Sequence, residues 1–124
     1  MAIEDVALQI LRTHNKEVKA LKINPMTGCY ERAEQMKQEL EAVGMKSRLI
    51  KIIPTDGFPL YPECGHSWRL HFCVVSEEMQ VYDPNYTEAV PISIGDYPLL
   101  YYGGKKNLEI LAEEVDGNWQ KVEF

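Results

Sequence analysis

The cysteine at position 29 stands where the sequence predicts the start of a helix. Gly28 precedes Cys29 at the N-cap position, and an apolar stripe at helical spacing continues through residues 29–43. The positive end of a helix lowers the pKa of a thiol, and the thiolate is the form that attacks a carbonyl carbon. We therefore take Cys29 as the candidate nucleophile of a thiol acyl-transfer site.

Two histidines, His66 and His71, compete for the role of general base in such a site. The sequence predicts a hairpin in which a three-residue loop at 76–78 places His71 directly opposite Asp83. Directly opposed side chains have Cβ atoms roughly 4.5–5.5 Å apart, which suits an acid that orients an imidazole. His66 would lie farther along the strand. We therefore predict His71 as the base and Asp83 as its acid, with His66 as the alternative base.

The same register predicts which face of the hairpin packs on the cysteine helix. Residues 71, 73 and 75 share a face with Met79 and Val81, because successive side chains alternate between the two faces of a strand. This face is apolar enough to pack on the stripe that begins at Cys29, which favours His71 over His66.

The elements that must position these residues are predicted from periodicity. Apolar residues recur at helical spacing over 3–14, and a β-rich run covers 48–53. Asp116 and Gly117 form a two-residue hairpin signal near the end of the chain. Two helices followed by mostly antiparallel strands predict an α+β fold, and 124 residues are enough for a single domain over residues 1–124.

The composition limits the partners and the compartment. The net charge of −6 argues against nucleic acid or an anionic membrane surface as the main partner. No apolar run approaches the roughly 20 residues of a membrane span, and no signal peptide is visible at the N-terminus. Three cysteines cannot all pair internally. We therefore expect free thiols and a cytoplasmic protein, or one that is secreted as an effector by another route.

Four residues can be considered as zinc ligands, namely Cys64, His66, His71 and Cys73. His66 and His71 fall on opposite faces of one predicted strand, which disfavours a tetrahedral site. We therefore predict no metal site and no cofactor.

Three segments around these residues resemble the bacterial protein-glutaminases, or protein-glutamine deamidases, of the papain-like, transglutaminase-like superfamily. Gly-Cys-Tyr-x-Arg-Ala-x-x-Met at 28–36 is similar to the nucleophile helix of that family, and Trp-Arg-Leu-His at 68–71 is similar to its Trp-x-x-His strand. Val-Tyr-Asp-Pro-Asn at 81–85 is similar to its Ile-Asp-Pro-Ser turn. The hairpin between the last two segments is shorter than in the family.

The resemblance implies a papain-like or transglutaminase-like core in which the nucleophile helix packs on an antiparallel sheet. It also implies a catalytic triad of Cys29, His71 and Asp83 that hydrolyses the glutamine carboxamide of a protein substrate, as a bacterial effector or toxin would. Cys29 would attack the carboxamide, His71 would transfer protons, and Asp83 would fix the imidazole.

The expected oxyanion donor differs from that of papain-type enzymes, which use a glutamine six residues before the cysteine. That position is Ile23 here, so we expect the backbone N–H of Cys29 as a donor, with Asn24 as a candidate second donor. Trp68 is a candidate for the wall of the substrate channel. The His-x-Trp pattern that ends at Trp68 is also similar to transglutaminase-like cores, in which the base would be His66.

Two other functions fit the same residues. The first is a cysteine peptidase or a transglutaminase, which shares the triad and differs in the acyl donor or acceptor. The second is a non-catalytic binding or immunity-like module that kept the fold. The mass of the product distinguishes the first from a deamidase, and the reactivity of Cys29 distinguishes the second from any enzyme.

Overall fold

Two helices precede the strands of this chain. The computed structural model describes residues 2–20, 29–56, 70–86, 88–102 and 108–123. Within these ranges the elements are α1 (Ile3–Ala20), α2 (Cys29–Ala42), β1 (Ser47–Pro54), β2 (His71–Ser76), β3 (Gln80–Tyr82), β4 (Ile92–Ser93), α3 (Tyr97–Tyr102), β5 (Leu108–Glu113) and β6 (Trp119–Lys121).

The described strands form one sheet in the order β4-β3-β2-β1-β5-β6. Every neighbouring pair in this sheet is antiparallel. Helices followed by an antiparallel sheet confirm the predicted α+β class. None of the helices in the described ranges is both long and apolar enough to cross a membrane.

Helix α1 runs past its predicted end at residue 14 and reaches Ala20. Its buried face continues through His14 and Asn15 to Val18, so two of its inward positions are polar. Because these two buried positions are polar, the apolar periodicity in the sequence stops there. The predicted helix therefore ended too early, at residue 14.

Helix α2 begins at Cys29, as the sequence predicts, and its other end is fixed by Gly44. Gly44 has a φ of 96°, in the left-handed region that favours glycine. The N–H of Met45 bonds to the carbonyl of Leu40 at 2.9 Å, and the N–H of Gly44 bonds to the carbonyl of Glu41 at 3.0 Å. This pair of hydrogen bonds is a Schellman motif, which satisfies carbonyls at the end of the helix.

The β2–β3 hairpin has a three-residue loop, as predicted, but the loop lies one residue later, at 77–79. Met79 closes the loop in the left-handed conformation, with a φ of 63° and a hydrogen bond of 2.9 Å from its N–H to the carbonyl of Ser76. Val75 therefore pairs with Val81, where the sequence predicted Met79.

This register brings Asp83 level with Cys73, so the predicted direct opposition of Asp83 and His71 is wrong. A shift of two positions keeps every side chain on its predicted face, because the side-chain period of a strand is two residues. Asp83 therefore lies diagonally across from His71 on the same face of the sheet, and diagonal neighbours remain within reach of long side chains.

Each face of the sheet packs against a different layer. One face packs against α1 and α2 in a core of Ala7, Leu11, Ala33, Met36, Leu40, Leu49, Val74 and Tyr82. The other face forms a core with α3 that includes Ile50, Ile52, Cys73, Val75, Val81, Tyr97, Tyr101 and Ile110. The face that carries His71 thus turns away from α2, and the prediction that it packs on the cysteine helix is wrong. Because β2 is buried on both sides, its hydropathy does not distinguish the two faces.

The β5–β6 hairpin closes with a three-residue loop at 115–117, where the sequence predicted a two-residue turn. Gly117 ends this loop with a φ of 86° and donates a hydrogen bond of 2.9 Å to the carbonyl of Glu114. A glycine in the left-handed conformation at the last loop position is characteristic of three-residue hairpins.

Candidate active site

The Cys29 side chain lies half-buried at the N-terminal end of α2. The thiol lies close enough to the side chain of His71 and to the backbone N–H of Phe72 for both groups to lower its pKa. Burial raises the pKa of this thiol, but the polar interactions with His71 and Phe72 and the charge of His71 outweigh burial and lower the pKa below its ordinary value. The environment of Cys29 therefore favours the nucleophilic thiolate.

His71 is fully buried and is the first residue of β2. Its Nε2 lies 2.9 Å from Oδ2 of Asp83 and is engaged in that hydrogen bond. Nδ1 is therefore the ring nitrogen that can exchange a proton with Cys29. Burial lowers the pKa of His71, but the charge and hydrogen bond of Asp83, joined by those of Cys29, raise the pKa to about 9. At neutral pH the imidazole is therefore protonated beside the thiol.

Asp83 is 2% exposed, and each of its carboxylate oxygens accepts a hydrogen bond. Oδ2 accepts from the Tyr97 hydroxyl at 2.5 Å, and Oδ1 accepts from the backbone N–H of Asn85 at 2.9 Å. Burial and the charge of Asp83 raise the pKa of Tyr97 well above its ordinary value, so the phenol remains a proton donor. These bonds hold the carboxylate in the orientation that faces His71.

Asn15 of α1 anchors the turn that follows Asp83. Its Nδ2 donates one hydrogen bond to the carbonyl of Pro84 at 2.9 Å and another to the carbonyl of Tyr86 at 2.8 Å. Asn15 is 5% exposed, and its bond to Pro84 is buried. A buried polar residue on α1 thus fixes the segment that carries the acid of the site.

Tyr97 and Tyr101 of α3 form one wall of the site, and neither was predicted as a site residue from the sequence. The Tyr101 ring is stacked with the imidazole of His71, with centroids 6.4 Å apart and planes 15° apart. The Tyr97 and Tyr101 rings are also stacked, at 5.2 Å. The four-residue spacing of the tyrosines, with Pro98 in the first turn, is the signal that could have predicted a helix with an aromatic face.

Three buried side chains in this region, His71, Cys73 and Asp83, have possible metal ligand atoms within 4.8 Å of one another. The 2.9 Å separation of His71 Nε2 and Asp83 Oδ2 fits a hydrogen bond. Ligand atoms that share a tetrahedral zinc ion lie farther apart, at about 3.4 Å for bonds of about 2.1 Å. Burial also raises the pKa of Cys73 well above its ordinary value, which keeps it a neutral thiol and a poor ligand. The group therefore fits a hydrogen-bonded cluster better than a metal site.

The structure brings three of the predicted site residues together. The Cys29 thiol lies beside His71, which lowers its pKa, and His71 is hydrogen-bonded to Asp83. The other predicted residues lie outside the described ranges: Asn24, Cys64, His66 and Trp68. The choice of His71 over His66 as base, and the oxyanion donor, therefore stay predictions.

The fold and the site define an α+β protein in which a cysteine at the start of a helix lies beside a hydrogen-bonded pair of histidine and aspartate. Comparison of the chain with protein-family models, curated protein sequences and solved structures gave no match. A function for this arrangement is therefore inferred from its chemistry.

Proposed function

We propose that this protein is a thiol-dependent amidohydrolase that deamidates glutamine side chains in protein substrates. The observation that supports the proposal most directly is that the Cys29 thiol, at a helix N-terminus, lies beside His71, which is in turn hydrogen-bonded to Asp83. The motif resemblance to the protein-glutaminases of the papain-like, transglutaminase-like superfamily supports glutamine as the substrate.

The first half of the proposed reaction forms a thioester. The Cys29 thiolate attacks the carbon of the glutamine carboxamide, and the carbonyl oxygen becomes an oxyanion. Protonated His71 then donates its proton to the departing nitrogen, so ammonia leaves and the imidazole becomes neutral. The raised pKa of His71 suits this step, because the residue begins as the acid that the leaving group requires.

The second half hydrolyses the thioester. Neutral His71 accepts a proton from water as the water oxygen attacks the thioester carbon. The tetrahedral intermediate collapses to a glutamate side chain and the Cys29 thiolate, with His71 protonated again. Asp83 keeps one tautomer and one ring orientation of the imidazole through both halves and stabilises its charged form.

The oxyanion of both tetrahedral intermediates requires hydrogen-bond donors. The backbone N–H of Cys29 is the donor we favour, because the first N–H groups of a helix have no acceptor within the helix. The positive end of the α2 dipole acts in the same direction. Asn24 stays the proposed side-chain donor.

The test of this proposal measures ammonia and product mass together. The protein is incubated with a glutamine-rich protein and with short glutamine peptides, and we expect ammonia release with a gain of about 1 Da per site, from exchange of NH₂ for OH. Cys29→Ala should lower the rate by about a thousandfold or more. Equal rates for wild type and Cys29→Ala would exclude the enzymatic proposal.

Parallel variants and products separate the remaining alternatives. His71→Ala should abolish ammonia release and His66→Ala should not, if His71 is the base. Cleavage of the substrate chain would identify a peptidase, and joining of two substrates with ammonia release would identify a transglutaminase.

A further inference from the structure

A groove at the far end of the sheet is separate from the candidate active site. It is lined by the first turns of α1, the segment between α2 and β1, the β2–β3 hairpin, and Pro91. Its volume is about 490 Å³, within the range of roughly 300–1,000 Å³ that is typical of binding sites. Strand β2 runs from His71 at the candidate active site to Ser76 at the groove, a distance of roughly 17 Å at about 3.3 Å per residue.

The floor of the groove is apolar. Leu8, Met45, Tyr82 and Pro91 line it, and Tyr82 is only 3% exposed. Ile3 stands on the α1 wall with 42% of its surface exposed. An apolar floor beside an exposed isoleucine is a surface that a partner side chain can cover with a gain in hydrophobic burial.

Carboxylates stand on both sides of this floor. Glu4 and Asp5 come from α1, Glu77 and Glu78 come from the hairpin, and Lys46 is the cation among the lining residues. The ion pairs within the described part of the chain use other acids, so none of these four carboxylates is neutralised there.

Negative charges from both walls of the groove act on Tyr82 in its floor. Burial raises the pKa of Tyr82, and the charges of Glu4 from one wall and Glu78 from the other raise it further. Among the described residues, the ligand atoms close enough to share one metal ion lie at the candidate active site, not among these carboxylates. A ligand with several separated positive charges therefore fits the groove better than a single cation does.

We propose that this groove binds a basic segment of a partner protein, in which an apolar side chain covers the floor and lysine or arginine residues on either side face the two acidic walls. The apolar floor supplies burial, and the charges supply orientation and fast association. This binding does not depend on Cys29 and holds whether or not the protein is an amidohydrolase.

The test uses two labelled peptides with the full chain carrying Cys29→Ala. One peptide repeats Lys-Leu-Lys and the other repeats Lys-Ser-Lys, so they differ only in the apolar residue. We expect the leucine peptide to bind more tightly than the serine peptide and to weaken with added salt. Backbone amide shifts in NMR should centre on Leu8, Met45 and Glu78.

A matched pair of variants separates this groove from the general attraction of an acidic protein for a basic peptide. Glu77→Gln with Glu78→Gln removes two exposed carboxylates from the groove, and Glu31→Gln with Glu123→Gln removes two exposed carboxylates elsewhere. We expect the first pair to weaken binding by at least about fivefold and the second by less than about twofold. Equal weakening by both pairs, equal binding of the two peptides, or no binding would overturn the proposal.

Discussion

The hydroxyl of Tyr97 donates a hydrogen bond to Oδ2 of Asp83, the same oxygen that faces Nε2 of His71. Two donors therefore share one carboxylate oxygen in a buried site. Each bond that Asp83 accepts reduces the negative charge that it presents to the imidazole. Tyr97 is thus placed to moderate the basicity of His71 from α3.

We predict that Tyr97→Phe destabilises the protein and raises the pKa of His71 further. The buried carboxylate loses a donor, which should cost about 1–3 kcal/mol in the free energy of unfolding measured with urea. The carboxylate that remains attracts the imidazolium proton more strongly, so an NMR titration of His71 should move to higher pH. An unchanged or lower pKa would contradict the moderating role. Tyr86→Phe, which keeps the ring and removes a hydroxyl outside the Asp83 contacts, is the matched control.

We predict that Cys29 reacts with iodoacetamide at a pH below that of an ordinary thiol, whose pKa is about 8.5. The pKa of Cys29 is lowered by His71 and by the N–H of Phe72 against the effect of burial. Cys73 in the same molecule provides an internal control, because it is fully buried and burial raises its pKa. Mass spectrometry of peptides labelled across a pH series measures both residues.

His71→Ala should move the labelling profile of Cys29 toward higher pH, since the largest favourable contribution to the thiolate is lost. The protein must remain folded for this comparison, which a circular dichroism melt establishes for each variant. A profile that is identical in wild type and in His71→Ala would show that the imidazole does not activate the thiol.

We predict that the pH dependence of stability differs between wild type and Cys29→Ala. His71 has a folded-state pKa of about 9, above its unfolded value of about 6.5. Its contribution to stability is therefore fully present below pH 6.5 and is lost as the pH rises through its folded-state pKa. Cys29 has the opposite sign, because its lowered pKa contributes stability that is lost as the pH falls. In wild type, the contributions of His71 and Cys29 to stability therefore change with pH in opposite directions.

In Cys29→Ala only the contribution of His71 to the pH dependence of stability should remain. The free energy of unfolding should therefore fall as the pH rises above about 6.5. Urea titrations at a series of pH values measure this directly. Cys29→Ala combined with Asp83→Asn should flatten the curve, because Asp83 is the main cause of the raised His71 pKa. A rise in stability with pH in Cys29→Ala would contradict the assignment.

We predict that Asn15→Ala lowers the free energy of unfolding by about 1–3 kcal/mol and also lowers activity. The carbonyls of Pro84, which is buried, and Tyr86, which is partly buried, lose the hydrogen bond from Asn15, and the turn after Asp83 is released from α1. Thr13→Ala on the exposed side of the same helix is the matched control and should change stability by less than about 0.5 kcal/mol. Asn15→Asp should be more damaging than Asn15→Ala, because a carboxylate would face two carbonyl oxygens.

That Cys29, His71 and Asp83 lie close together could be predicted from sequence, because each residue has a local signal. Cys29 follows the glycine at a helix start, and His71 and Asp83 lie on strands of one short hairpin. The exact register could not be predicted, because the loop position depends on Met79 adopting a left-handed conformation that its residue type does not indicate. The prediction of a shared face still held, since an error of two residues preserves the alternation of a strand.

The residues that support the acid were not predictable in the same way. Asn15 bonds to a turn about 70 positions later in the chain, and Tyr97 reaches Asp83 from a separate short helix. No periodicity in a single sequence connects such distant positions. Long-range polar contacts of this kind are specified by tertiary packing, which the local pattern does not encode.

The two-sided packing of the sheet makes the reactivity of Cys29 a reporter of complete folding. The thiol comes from α2 on one face, whereas His71 and Asp83 belong to the opposite face with α3. A chain in which either layer has not docked keeps an ordinary, weakly ionised thiol. We therefore expect Cys29 to react as an ordinary thiol in an unfolded chain and to react more readily only when both layers pack on β2.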